Sequence, residues 1–199
     1  RKDSTPVFEM DNIPEDFSNF LWSLGWKIDI TTHTGYKGGL AASKTGKYAP
    51  YYSSYDLELI FQVGLFVPKS QISTNYLQSL IFSNQVTICW TEDISTFDPT
   101  IFKTEFQVLI VIEPQATRLY RVKVFTPPSI VDLGPVRDEM ILSKQILGAA
   151  VRNTALNASR GNFACGEPAS RRINTMEQEV NTIEPPKNLY KFYKSSLTV

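Results

Sequence analysis

The chain has 199 residues, of which 42% are hydrophobic and 12% aromatic, so it can bury a full core and is not a mainly disordered protein. Twenty basic and twenty acidic side chains give a net charge of zero, which argues against nucleic-acid binding because that function needs a basic excess. No apolar run approaches the roughly 20 residues of a membrane span.

The first third of the chain predicts a helix, a strand, a long loop and a second strand. Phe17, Phe20, Leu21 and Leu24 recur at helical spacing after Pro14, and Gly25 is the expected C-cap. Residues 26–30 read as a short strand. Residues 31–50 are rich in Gly, Thr, Ser and Lys, match no phosphate-loop motif and predict a surface loop. Residues 51–63 alternate as the next strand.

The middle of the chain predicts a short helix that leads into a buried strand. Leu77, Leu80 and Ile81 have helical spacing, and residues 86–90 then alternate as a strand. The polar joint Ser83–Asn84–Gln85 between them could face a partner or substrate. Residues 106–112 are almost continuously apolar, which indicates a central strand, and residues 119–125 form its hairpin partner.

The last third predicts two helices and an aromatic tail. The longest helical pattern runs from about 138 to 159, and Gly148 should weaken it by about 1 kcal/mol relative to alanine. A second helix is expected over 170–183. The order of these elements indicates an α/β fold with a mixed central β-sheet flanked by helices. We expect a single domain over 1–199, with a core at about 13–160 and a C-terminal helix and tail at 170–199.

The residues alone offer little chemistry. His33 is the one histidine, and no nucleophile motif accompanies it. Glu92, Asp93 and Asp98 lack the spacing of a calcium loop and predict a solvated turn. Cys89 and Cys165 make neither a disulfide framework nor a zinc site. We therefore expect no cofactor or metal and a reducing, cytoplasmic location. The start at Arg1, without Met, predicts a fragment of a longer protein.

Five blocks of the sequence occur in the order found in the Rap/Ran-GAP family of GTPase-activating domains, which the chain resembles. They are F-L-W-S-L-G-W-K-I-D-I-T-T-H-T-G-Y-K-G-G-L (20–40), A-P-Y-Y-S-S-Y-D-L-E-L-I-F-Q-V (49–63), V-T-I-C-W (86–90), F-K-T-E-F-Q-V-L-I-V-I-E-P (102–114) and V-R-N-T-A-L-N-A-S-R (151–160). Among the members it is most similar to the RalGAP subunits, the beta subunit above all. The resemblance implies regulation of a Ral-type small GTPase.

Catalytic members of this family carry His-(Ile/Leu)-Gly-Asn-Asp-x-Val ahead of the central strand, and the Asn acts as a thumb that helps to position water at the γ-phosphate. Without a gap from Val86, the family Asn falls on Ser83. The other positions of the motif are also changed. The family's basic pair falls on Gln78 and Ser79, its His on Leu80, its Gly on Phe82 and its Asp on Asn84. The resemblance therefore implies a degenerate thumb with no catalytic residue, unless a one-residue deletion places Asn84 at the thumb.

Three functions remain open at this point. The preferred one is a non-catalytic domain that pairs with a catalytic RalGAP alpha subunit acting on Ral. The alternatives are an active GAP that uses Asn84, and a pure dimerisation or scaffold module. The tail offers Tyr190, Phe192 and Tyr193 as candidate interface residues, because aromatic side chains anchor many interfaces.

Overall fold

The computed structural model describes residues 13–68, 84–101, 108–127 and 133–164. Contacts divide the chain into two compact units, Arg1–Ser159 and Arg160–Val199. The predicted helices around 76–82 and 170–183 lie outside the described residues. The single domain expected over 1–199 therefore stays a prediction. None of the described helices is long and apolar enough to cross a lipid bilayer.

The first helix and the strand after it lie where the sequence predicts them. Helix α1 spans Glu15–Ser23, and strand β1 spans Trp26–Asp29. The predicted cap is wrong, because Leu24 caps the helix in a right-handed conformation and Gly25 lacks a positive φ. Gly25 serves a different purpose. A Cβ at this position would lie 2.4 Å from the Tyr51 carbonyl oxygen, so glycine allows the close approach of two backbones.

A three-stranded antiparallel sheet follows, in the order β1-β2-β3, with β2 at Tyr48–Ser53 and β3 at Glu58–Ile60. The prediction of one strand over 51–63 is wrong. The chain reverses between Ser53 and Glu58, where Ser54 N–H donates to the Leu57 carbonyl at 2.9 Å. The predicted loop over 31–50 is also incomplete, because it contains helix α2 at Ala42–Thr45 and the first residues of β2.

The second sheet has four strands and mixed direction. Its order is β4-β5-β6-β7, with β4 at Val86–Trp90, β5 at Val108–Pro114, β6 at Leu119–Phe125 and β7 at Met140–Ser143. Strands β4 and β5 are parallel, and the other neighbours are antiparallel. Residues 108–112 are all completely buried, which confirms the predicted central strand. The described strands therefore form two sheets, of which the mixed one is central.

The long helix begins later than the sequence predicts. Helix α3 spans Lys144–Ala164, whereas residues 140–143 form β7 and pair with β6. Glu139 has a φ of 60°, a left-handed conformation that stops a helix at this point. The apolar residues Met140 and Ile141 fit both the helical and the strand period, and the pairing with β6 makes them part of a strand.

Helices α1 and α3 cover one face of the mixed sheet and enclose the main core. Residues of both helices and of the face of β5 and β6 that they cover contribute to this core, including Phe20, Leu21, Ile110, Ile112, Val122, Leu147 and Val151. The other face has a smaller cluster of Ile94, Leu109 and Val111. Burial on both faces explains why β5 reads as an unbroken apolar run.

The end of α1 touches α3 closely. A Cβ on Gly148 would lie 2.0 Å from Ser23 Oγ and 2.8 Å from the Ser23 carbonyl carbon. Arg152 donates from Nη1 to the carbonyl oxygens of Ser23 and Leu24 at 3.3 and 3.1 Å, and its guanidinium lies 3.9 Å from the Tyr52 ring centre. Arg152 thus satisfies carbonyl groups that the end of α1 leaves without helical partners.

Candidate functional site

The site that the sequence singles out lies at the entrance to β4. Asn84 is exposed and lies two residues before the strand. The next residue, Gln85, is fixed to the central strand, because its carbonyl oxygen accepts the Val108 N–H at 2.9 Å. The entrance is therefore positioned by the most deeply buried strand of the sheet.

Aromatic packing at the far end of β4 holds the strand in one register. The ring centre of Trp90 lies 5.5 Å from those of Phe17 and Phe20 and 5.8 Å from that of Tyr120. A shift by one residue would turn Trp90 out of this cluster and bring Cys89 into it. The packing therefore fixes Val86 as the first residue of the strand, which is the anchor for comparing the thumb segment.

Most of the predicted site residues lie outside the described part of the chain. This applies to Gln78, Ser79, Leu80, Phe82 and Ser83, and to the interface candidates Tyr190, Phe192 and Tyr193. Of the segment predicted to be a degenerate thumb, the structure places only Asn84. The assignments of the other residues stay predictions.

Cys89, in the same strand, is not suited to nucleophilic chemistry. Its side chain lies on the face of the smaller apolar cluster, and burial raises the pKa of the thiol to about 12. A thiol with such a pKa is almost entirely protonated at neutral pH, and the thiolate is the reactive form.

The acidic loop after β4 is a set of local turns, as the sequence predicts. Asp93 accepts the backbone N–H and the hydroxyl of Ser95 at 2.8 and 2.6 Å, and Asp98 accepts the same two groups of Thr100 at 2.9 and 2.7 Å. These hydrogen bonds lower the pKa of both carboxyl groups. Within the described ranges, no three His, Cys, Asp or Glu side chains come together as a metal site.

A polar cluster joins the Gly-rich loop to the hairpin of β2 and β3. Glu58 Oε2 accepts the backbone N–H of Tyr36 at 2.6 Å and the hydroxyl of Tyr51 at 2.7 Å. The His33 ring lies 4.4 Å from the Tyr51 ring centre, and its buried Nε2 has no hydrogen-bond partner in the described structure. Sequence reasoning missed Glu58, whose contact to Tyr36 spans 22 residues. The contact joins two of the five blocks that carry the family resemblance.

The Glu58 cluster predicts a dependence of stability on pH. The Tyr36 N–H, then the Tyr51 hydroxyl and the nearby His33, lower the pKa of Glu58 below its ordinary value of about 4.3. A carboxyl group with a lowered pKa stabilises the fold above its unfolded-state pKa, and this contribution is lost as the pH falls through the folded-state pKa. We expect Glu58→Gln to lower the free energy of unfolding at pH 7 and the gap to wild type to narrow below about pH 4.

Urea unfolding of wild type and Glu58→Gln at several pH values measures the difference in their free energies of unfolding. Glu92→Gln makes the same charge change at an exposed position of the loop after β4 and is the matched control for general loss of negative charge. A gap between wild type and Glu58→Gln that stays constant from pH 7 to pH 3 would show that the carboxylate is not the stabilising form.

The structure also exposes aromatic side chains that the sequence did not single out. Trp26 is 59% exposed, Tyr36 is 55% exposed and Tyr55 is fully exposed. All three belong to the three-stranded sheet or its loops. The interpretation of 51–63 as one strand concealed Tyr55, because it placed this residue within a strand instead of at the tip of a hairpin.

Comparison with known proteins decides what this scaffold is. The Rap/ran-GAP family model matches residues 7–183, which is most of the chain. The chain belongs to the Rap/Ran-GAP family. The predicted resemblance is thereby confirmed at the level of the family.

Two relatives show how much of a longer protein the chain represents. It is 30% identical over 201 residues to a Rap-GAP domain-containing protein of Dictyostelium discoideum, covering 92% of the chain and 12% of the relative. It is 34% identical over 147 residues to the Ral GTPase-activating protein subunit alpha-1 of Rattus norvegicus, covering 72% of the chain and 7% of the relative. The chain therefore spans only a small part of the relatives it matches.

A solved structure supports the fold. The GAP domain of TSC2 matches with a TM-score of 0.67 and 23% identity, covering 79% of this chain and 88% of that one. At this identity the likeness establishes the fold alone. The prediction of an α/β fold with a mixed sheet and flanking helices is confirmed.

Proposed function

We propose that this Rap/Ran-GAP domain is the non-catalytic member of a RalGAP-type complex, in which a catalytic alpha subunit stimulates GTP hydrolysis by Ral. The observation that carries the proposal is the start of β4 at Val86. With this anchor and no gap, the position of the family's thumb asparagine is Ser83.

The replaced residues lack the chemistry that the thumb requires. Phosphoryl transfer depends mainly on positioning and on electrostatic stabilisation, so a single well-placed carboxamide can have a large effect. The Ser83 hydroxyl is shorter than a carboxamide and cannot reach as far. Leu80, at the position of the family histidine, can neither donate nor accept a hydrogen bond.

The retained scaffold supports a role in binding. The register of β4 against β5, whose residues 108–112 are completely buried, and the hydrogen bonds of Glu58 to Tyr36 and Tyr51 show an ordered scaffold in the described residues. The assignment to the beta position rests on the degenerate thumb and on the resemblance. The relatives above include an alpha-1 subunit. The assignment to the beta position and the pairing with an alpha-type partner are therefore both part of the proposal.

A second candidate is an active GAP that uses Asn84 as the thumb. Its support is the position of this residue, which is exposed at the entrance to β4. This alternative requires a one-residue deletion in the segment and leaves the family's His, Gly and Asp without counterparts.

Single-turnover hydrolysis by GTP-loaded Ral tests the proposal. With the purified chain present, we expect the rate to stay within about twofold of the intrinsic rate, since no residue supplies the missing positioning. Asn84→Ala should leave that rate unchanged. A large acceleration that Asn84→Ala abolishes would establish the active GAP instead.

Binding experiments separate the proposal from the third candidate, a scaffold that regulates no GTPase. A pull-down with the isolated alpha subunit and with GTP-loaded Ral should recover the alpha subunit. Recovery of neither protein would exclude the proposed complex and favour the scaffold module.

A further inference from the structure

The outer edge of β7 has the properties of a binding site for an additional strand. Strand β7 is at one end of the order β4-β5-β6-β7, and no described strand pairs with its other side. About half of the backbone N–H and C=O groups of such a strand point away from its single neighbour. They can pair with an extended segment from another chain.

The residues of β7 lack the usual protection of an edge. Natural sheets block edge pairing with charged residues, proline or bulges. Strand β1 carries Lys27 and Asp29 and strand β3 carries Glu58, but the four residues of β7 are Met-Ile-Leu-Ser. Strand β4, the opposite end of the mixed sheet, is partly buried along its whole length. Among the four end strands, β7 thus combines exposure with a lack of charge.

Exposed apolar side chains surround this edge. Ile141 is 60% exposed, and Met140, Leu119 and Ile146 are also exposed. Leu119 pairs with Ser143 and Arg121 pairs with Ile141, so Leu119 and Ile141 lie on the same face of the sheet. An added strand could cover Ile141 with its own apolar side chains.

The charges around β7 indicate what such a strand carries. Two cations lie within β6, Arg121 and Lys123, and three more lie just before β6 or beside β7: Arg118, Arg137 and Lys144. Three carboxylates lie in the same region: Asp138, Glu139 and Glu113, which pairs with Arg121 in the register of β5 and β6. Glu139 forms salt bridges with Arg121 and Lys123, and Asp138 accepts the Val124 N–H at 3.0 Å. With five cations and three carboxylates, the described residues around the edge have an excess of two positive charges.

We propose that the β7 edge binds an extended segment of a partner protein in which apolar and acidic residues alternate. Pairing supplies the backbone hydrogen bonds, as in other cases of strand addition. The acidic residues fit the surrounding cations. A second copy of this chain fits less well, because two-fold pairing of β7 would bring the same cations of both copies together. The inference is independent of the proposed function, since it concerns neither GTP nor the thumb.

A short acetylated and amidated peptide of alternating Val and Glu serves as the probe. Hydrogen exchange of the β7 backbone amides is measured on the whole 199-residue chain with and without millimolar peptide. We expect exchange in β7 to slow by about tenfold or more, since pairing and burial protect amides from opening. The corresponding Val–Lys peptide and a Val–Glu peptide interrupted by proline should give no protection.

Variants test whether β7 itself is the site. Ile141→Asp adds a negative charge to the edge and should abolish the protection, whereas Tyr55→Asp adds the same charge to the other sheet and should preserve it. Absent protection with wild type, equal protection by the Val–Lys peptide, or retained protection in Ile141→Asp would overturn the proposal. A dimer of the chain alone that Ile141→Asp dissociates would overturn it in favour of a second copy.

Discussion

Ral should hydrolyse GTP roughly a hundredfold faster in the presence of a variant that restores the family's thumb segment than in the presence of wild type. The variant combines Leu80→His, Phe82→Gly, Ser83→Asn and Asn84→Asp. The physical reason is that the fold already positions the entrance to β4 through Val108 and Trp90. Under the proposed function, the segment before this entrance lacks only the family's functional side chains. Single-turnover hydrolysis with saturating variant and GTP-loaded Ral measures the effect.

The control is the same variant with Ser83→Ala in place of Ser83→Asn. It repeats the three flanking changes but leaves out the carboxamide, so it should stay near the intrinsic rate. Binding of Ral to both variants is measured in parallel by pull-down. A restored variant that binds Ral without accelerating hydrolysis would contradict the view that only side chains have been lost.

Gly148→Ala should destabilise the protein, although helix propensity alone predicts the opposite. In an isolated helix the change would stabilise by about 1 kcal/mol. In the structure the added Cβ would overlap Ser23, including its carbonyl carbon at 2.8 Å, so α1 and α3 would have to separate. Overpacking of this kind costs about 1–3 kcal/mol, and separation would also disturb the Arg152 hydrogen bonds to the end of α1.

Urea denaturation of Gly148→Ala and of the matched control Ala149→Gly separates the steric effect on the free energy of unfolding from the effect of helix propensity. Ala149 is exposed on the same helix, so its replacement should cost about 1 kcal/mol through propensity alone. If Gly148→Ala were more stable than wild type, the close contact between α1 and α3 would not be the reason for glycine at this position.

Local patterns correctly predicted the elements whose pattern of burial stays the same along their length. Strand β5 is buried on both faces, so its apolar run has one interpretation. The alternation over 86–90 and the spacing of Phe17, Phe20 and Leu21 were equally clear, and the structure confirms β4 and α1. The family resemblance depended on these same segments.

The predictions failed where distant contacts decide between two local possibilities. Residues 51–63 alternate throughout, but pairing of β2 with β3 turns the chain back at Ser54–Leu57. Met140 and Ile141 continue a helical pattern, but pairing with β6 and the left-handed Glu139 make them part of a strand. Periodicity indicates which side of an element is buried, but it does not identify the element that packs against or pairs with it.

The sequence by itself determined the family and the central strand, because each depends on residue types in a fixed order. Only the tertiary structure decided the role of Gly148, the link from Glu58 to Tyr36 and the place of β7 at the end of the described sheet. These features arise between elements that are far apart in the chain. Their physical basis is steric overlap, a side-chain hydrogen bond and strand pairing, and each requires the positions of both partners.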